Sequence, residues 1–167
     1  KYPRVLGIVY YDHPLGDIGE TFRNELRRRA TGLSAQYYQE GLANESGNIR
    51  TVVLPADCDP VLEDEVIRDA SSYDAIILAY VYRIIMRRNT PNLRPRAAAF
   101  AGRLAANGVP VAAISFGSPY VLGQLPDVKA FAVAYMYSPA VQEAAVRAVF
   151  GEIPFAGKLP VRMPGGG

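Results

Sequence analysis

The sequence predicts an α/β fold: a three-layer α/β/α sandwich around a mainly parallel sheet of five or six strands. Three observations predict it. Short apolar runs of strand length, at 5–10, 49–54, 74–80, 109–115 and 131–135, alternate with segments of helical periodicity, the pattern of parallel βαβ units. The first run is close to continuously apolar, as in a strand covered on both faces. The composition, 50% hydrophobic and 20% charged over 167 residues, is that of an ordinary globular domain with one core.

The elements follow in order. Residues 5–10 (VLGIVY) form a first strand whose unbroken apolarity makes it central. After the loop DHPLGDIG at 12–19, Phe22, Leu26, Ala30 and Leu33 recur at helical spacing, and Thr31-Gly32 ends or breaks that helix. Residues 34–42, with Tyr37 and Tyr38, read equally as a short helix or a strand. A turn at 44–48 leads into the strand 49–54, closed by Pro55. Asp59 and Pro60 then stand as N-cap and first helical residue of a helix reaching Ala70. Leu62, Val66 and Ile67 are expected on its inner face, with Glu63, Asp64 and Glu65 in solvent.

The third strand, 74–80, is followed by an arginine-rich connection over 83–95, of a length that is commonly functional. Phe100 and Leu104 on an alanine-rich background mark a helix over 96–107, stopped by Asn107-Gly108. After the strand 109–115, Pro119 presets a short helix over 120–125; after the strand 131–135, Ser138-Pro139 open a last helix over 140–150. The whole reads as one flavodoxin-like domain over 1–164, with 165–167 as a linker stub. Both ends are expected to be domain boundaries within a longer polypeptide.

The inventory of reactive groups is short. Cys58 and His13 are the only residues of their types, which excludes a disulfide within the chain and a zinc site of the Cys/His-rich kind. A formal charge of +2 from 18 basic and 16 acidic residues is too balanced for a nucleic-acid partner, and no apolar run is long enough for a membrane span. Ligands of open parallel sheets sit beyond the carboxyl ends of the strands, which directs attention to Asp12, His13, Tyr82, Arg83, 115–120 and 135–138.

No familiar chemistry fits there. The first strand-end loop lacks Gly-x-Gly-x-x-Gly and the Walker lysine, so no nucleotide cofactor is expected. A phosphoacceptor receiver would close its third strand with aspartate and its fifth with lysine, where this chain has Ala79-Tyr80 and Tyr135. Ser115-Phe-Gly-Ser-Pro119 lacks the glycine spacing of a nucleophile elbow, and His13 alone could serve a serine as base. Asp12-His13, being adjacent, reads as a turn. Hence no catalytic residue, cofactor or metal is expected within the chain.

One resemblance gives these absences a reason. Residues 115–122 (SFGSPYVL) with Leu125-Pro126, 134–139 (AYMYSP), and 148–161 (AVFGEIPFAGKLPV) resemble the C-terminal sandwich domain of family 3 glycoside hydrolases. The resemblance implies an accessory domain of an exo-acting, retaining β-glycosidase, of the β-N-acetylglucosaminidase type. The nucleophilic aspartate would lie on a preceding (β/α)8 barrel, the expected partner along with carbohydrate, and the isolated chain would be inactive. It also implies a periplasmic or extracellular setting, and substrate contacts from the strand-end residues Asp12, His13, Arg83, Ser118 and Tyr120. The alternative is a freestanding flavodoxin-like module that binds a ligand or a protein without catalysis.

Overall fold

The computed structural model describes residues 3–12, 19–30, 48–82 and 93–161. Five strands, β1 (Val5–Tyr11), β2 (Ile49–Pro55), β3 (Ala75–Val81), β4 (Val111–Ser115) and β5 (Ala130–Val133), form one sheet in the order β2-β1-β3-β4-β5, with every neighbouring pair parallel. The expected three-layer α/β/α, flavodoxin-like sandwich is found, with five strands. The chain first steps from β1 to β2, then crosses back over β1 to β3 and continues outward. The reversal opens a crevice at the carboxyl ends beside β1.

Successive strand residues point to opposite faces, so β1 serves two cores. Leu6, Ile8 and Tyr10 enter one, with Val66 and Ala70 of α2 (Pro60–Ala70) and Ala97, Phe100, Ala101 and Leu104 of α3 (Pro95–Ala105). Val5 and Val9 enter the other, with Phe22 and Leu26 of α1 (Glu20–Arg28) and Val146 of α4 (Pro139–Val149). Tyr10 is the aromatic hub of the first core, with its ring centroid 5.9 Å from Tyr80 and 5.5 Å from Phe100.

Helix starts follow sequence chemistry at two places. Asp59 caps α2 by accepting from Val61 N–H at 2.9 Å, and Pro60 occupies its first position. Pro95 likewise opens α3. Ser138 stands at the N-cap of α4 but makes no side-chain cap bond. Gly19, which opens α1, has no side chain to cap with, and the Phe22 N–H instead donates to Gln142 Oε1 of α4 at 2.9 Å.

The inner face of α2 differs from expectation. Leu62 is 36% exposed, whereas Glu63 is only 2% exposed. Glu63 accepts from Tyr10 O–H at 2.9 Å and pairs with Arg96 Nε at 2.9 Å and Arg103 Nη1 at 3.7 Å, both on α3. A carboxylate with three donors to satisfy it can occupy a core position that a leucine would otherwise take. The first helix ends at Arg28, with Ala30 packed beside it; Leu33, the ambiguous segment 34–42 and the stub 165–167 lie outside the described residues.

Gly7 allows α1 to approach β1. Opposite Thr51 and Ile77 in the sheet, its missing side chain leaves room for Leu26 Cδ1; an added Cβ would overlap that methyl and reach 3.4 Å from Thr51 Cγ2. Gly7→Ala is expected to cost about 1–3 kcal/mol, as overpacking of a dense core does. Combining it with Leu26→Ala should cost less than the sum of the two single changes, measured by urea denaturation. Strict additivity would remove close helix approach as the reason for glycine here.

Candidate functional site at the carboxyl edge of the sheet

The strand ends divide into three zones. At β1 and β2 a shallow cleft of about 210 Å³ is lined by Tyr11, Asp12, Pro55, Ala56, Asp57 and Arg94. Backbone bonds hold its floor: Ala56 N–H donates to Tyr11 C=O at 2.7 Å, and Asp12 N–H to Val81 C=O at 3.4 Å. Two carboxylates, one guanidinium and one tyrosine therefore share a recess. It is smaller than the roughly 300 Å³ at which small-molecule pockets begin, so it has the scale of a single subsite.

Next in sequence to the cleft's Tyr11 and Asp57, Tyr10 and Cys58 belong to a cluster around Glu63. Arg96 bridges Glu63 and Cys58, with its Nη2 at 3.6 Å from the Cys58 sulfur. Burial, more than the neighbouring carboxylate, pushes the Tyr10 hydroxyl well above its ordinary value of 10.0. Burial also raises the Cys58 thiol, with Arg96 opposing, so this thiol has the character of a packed group rather than a nucleophile. Sequence reasoning missed Glu63 because its arginine partners come from a different helix. Tyr10 near the end of β1 and two arginines seven residues apart on one face of α3 were the only traces.

At β3 and β4 a second network forms around Tyr82, which is buried at the end of β3. Its oxygen accepts from Ser118 N–H and its hydroxyl lies 3.2 Å from the Ser118 carbonyl, while Ser115 Oγ donates to that carbonyl at 2.9 Å. Gly117 admits the Tyr82 ring, since a Cβ there would lie 2.8 Å from Tyr82 Cζ. Ser118 is buried and uses its hydroxyl to accept from Tyr120 N–H at 3.2 Å, capping the 3₁₀ turn Pro119–Gln124. Among these groups nothing can take a proton from Ser115 near neutral pH: burial raises the Tyr82 hydroxyl from its ordinary value. Tyr120, by contrast, is 38% exposed.

The third zone follows β5. Tyr135 has a φ of +57°, in the left-handed region, and is half exposed next to the more exposed Met136. Of the five residues expected to meet substrate, the structure thus places Asp12 in the cleft, Ser118 in a buried cap and Tyr120 at the surface. His13 and Arg83 lie outside the described residues. Arg94, which shares the cleft with Asp12 and Asp57, belongs to the arginine-rich connection the sequence marks, but neither it nor Asp57 was expected to meet substrate.

No protein-family model matches the sequence, and no curated protein does. Solved structures do. A fungal multi-domain GH3 β-N-acetylglucosaminidase, described as containing a GCN5-related glucosamine N-acetyltransferase region, aligns with a TM-score of 0.70 at 20% identity. The alignment covers 98% of this chain and 16% of that one. A family 3 β-N-acetylglucosaminidase from Paenibacillus sp. str. FPU-7 aligns with a TM-score of 0.67 at 17% identity, over 94% of this chain and 27% of that one. This chain therefore spans about a sixth and about a quarter of those proteins, and shares its fold with a region of each.

The buried tyrosines set an alkaline limit on stability. Tyr10, Tyr80 and Tyr82 all hold their protons above the ordinary value of 10.0 in the folded state, mainly through burial. Above about pH 10 the unfolded chain therefore binds fewer protons than the folded one, and stability falls as pH rises. Urea midpoints are expected to be flat near about pH 8 and to drop beyond about pH 10. Tyr10→Phe should cost about 1–3 kcal/mol at neutral pH, by removing a donor from buried Glu63, and should make the alkaline decline shallower. An equally steep decline in the variant would count against Tyr10.

Proposed function

We propose that the chain is a non-catalytic accessory domain of a family 3 β-glycosidase of the β-N-acetylglucosaminidase type. It packs on a (β/α)8 catalytic domain elsewhere in the polypeptide and helps shape the sugar-binding cleft. The observation that carries this reading is the alignment of 98% and 94% of the chain onto minor regions of two β-N-acetylglucosaminidases. The three motif stretches around 115–126, 134–139 and 148–161 agree with it.

The carboxyl edge suits an assisting role. Carboxylates and guanidinium groups bind sugar hydroxyls through paired, directional hydrogen bonds, and the cleft holding Asp12, Asp57 and Arg94 offers both. Tyr120 presents a half-exposed ring, and Ser118 holds the turn that presents it. His13 and Arg83 follow directly on Asp12 and Tyr82 in the chain and belong to the same proposed contact set. These groups position a sugar; the bond-breaking carboxylates come from the partner domain.

The test uses an aryl N-acetyl-β-glucosaminide. The isolated chain should show no turnover, and the full-length polypeptide should hydrolyse the substrate with retention of configuration. Asp12→Ala in the full-length protein should raise KM about tenfold, roughly the loss of one hydrogen bond to a charged group, with less effect on kcat. Turnover by the isolated chain that depends on one of its own residues would overturn the assignment. So would a full-length polypeptide without a second domain, which would favour a freestanding binding module.

A further inference from the structure

The zone beyond β4 and β5 has a chemistry unlike the rest of the surface. Neither 115–126 nor 130–142 contains a lysine, arginine, aspartate or glutamate, although 20% of the chain is charged and stretches of that length would ordinarily carry several. The large apolar side chains these segments expose are Tyr135 at 48%, Met136 at 59% and Tyr120 at 38%. Depletion of charge with enrichment of tyrosine and methionine is the composition of the buried centre of a protein–protein interface.

The backbone beneath this surface is strained and pinned. Met136 N–H donates back to Ala134 C=O at 2.7 Å, closing a γ-turn whose central residue, Tyr135, has a φ of +57°. This is the rarer of the two γ-turn forms, and a bulky side chain there costs of order 1–3 kcal/mol. Bonds on both sides hold it. Ala134 N–H donates to Ser115 C=O at 2.8 Å, and Gln142 Nε2 donates to Tyr137 C=O at 2.6 Å. Gln142 is fully buried and its Oε1 also receives the Phe22 N–H, so the turn is locked to the start of α1. A surface loop with no task has no need of a buried amide holding an exposed tyrosine in a disfavoured conformation.

We propose that the Tyr135–Met136 turn is a preorganised docking anchor for a second protein domain, and that its occupant is the catalytic domain of the same polypeptide. The identity of the occupant rests on the function proposed above; the uncharged, rigid surface stands independently of it. A neutral face matches an apolar partner surface and would be a poor seat for an anionic or cationic one. The two glycosidases whose fold matches carry this unit within much longer chains, so the same architecture is found where a large covalent neighbour is at hand. Fixing the tyrosine before contact removes the ordering cost that a mobile loop would impose on docking.

Hydroxyl-radical footprinting tests this directly, because methionine and tyrosine are readily oxidised and are read separately by mass spectrometry. Oxidation of Met136 and Tyr135 is expected to fall at least fivefold in the full-length polypeptide relative to the isolated chain. Phe155, exposed on the tail after α4, serves as the reference. Tyr135→Gly should keep or raise the melting temperature of the isolated chain, since glycine accepts the left-handed backbone, yet should restore Met136 oxidation in the full-length protein at least threefold. Equal labelling of the two wild-type forms would overturn the proposal. Protection of the isolated chain by chitobiose or chitotriose would also overturn it, in favour of a glycan platform. Glycosidase assays on the same sample separate the readings: labelling without protection in an active glycosidase removes the docking face and leaves the function, and protection in a protein without glycosidase activity does the reverse.

Discussion

Strand β1 must be covered on both faces, and the rest of the molecule is arranged around that requirement. Lying between β2 and β3, it contributes Leu6, Ile8 and Tyr10 to one core and Val5 and Val9 to the other. A parallel neighbour cannot be reached by a tight hairpin, so each strand-to-strand step carries a crossover, and these crossovers supply the covering layers. At residue 7 of β1, where a side chain would hold α1 off, the chain has glycine. The same arrangement explains why polar chemistry collects at one edge. Strand interiors are sealed above and below, and only their ends remain open.

Most of the architecture was legible in the sequence because it rests on local pattern. Apolar runs of strand length, Asp59-Pro60 and Ser138-Pro139 are written in consecutive residues, and the described elements appear within a few positions of their expected places. What could not be read arises from contacts between distant segments. Glu63 looked like one of three solvated acids in a row. Its burial follows from Tyr10 on β1 and from Arg96 and Arg103 on α3, and no local pattern reports that convergence. Gln142 carries no local mark of its role, which is to serve as the cap that Gly19 cannot provide. Of the candidate site, Asp12 and Tyr120 were legible from the rule about strand ends, whereas Arg94 and Asp57 join the cleft only through the fold.

Two polar networks that resemble reactive sites turn out to hold the framework. In the Tyr82–Ser115–Ser118 group every hydroxyl is engaged with the backbone or its neighbours, and the tyrosine sits in the space that Gly117 leaves. In the Tyr10–Glu63–Arg96–Arg103 group the carboxylate is satisfied from three directions, so its charge is spent on binding β1, α2 and α3 together. Buried groups so fully partnered are costly to disturb and poorly placed to exchange protons with a ligand. The edge groups outside these networks are therefore the ones better placed to meet a ligand.

Those remaining groups separate by charge along the edge. The cleft at β1 and β2 carries Asp12, Asp57 and Arg94, while the surface at β4 and β5 is uncharged and aromatic. A hydroxyl-rich ligand gains from directional charge-assisted hydrogen bonds and needs no large apolar contact, which favours the first end. A folded domain gains from desolvating neutral surface and is penalised for burying unpaired charge, which favours the second. On the proposed reading, docking and sugar contact are then two uses of one edge, divided between its neutral and its charged end.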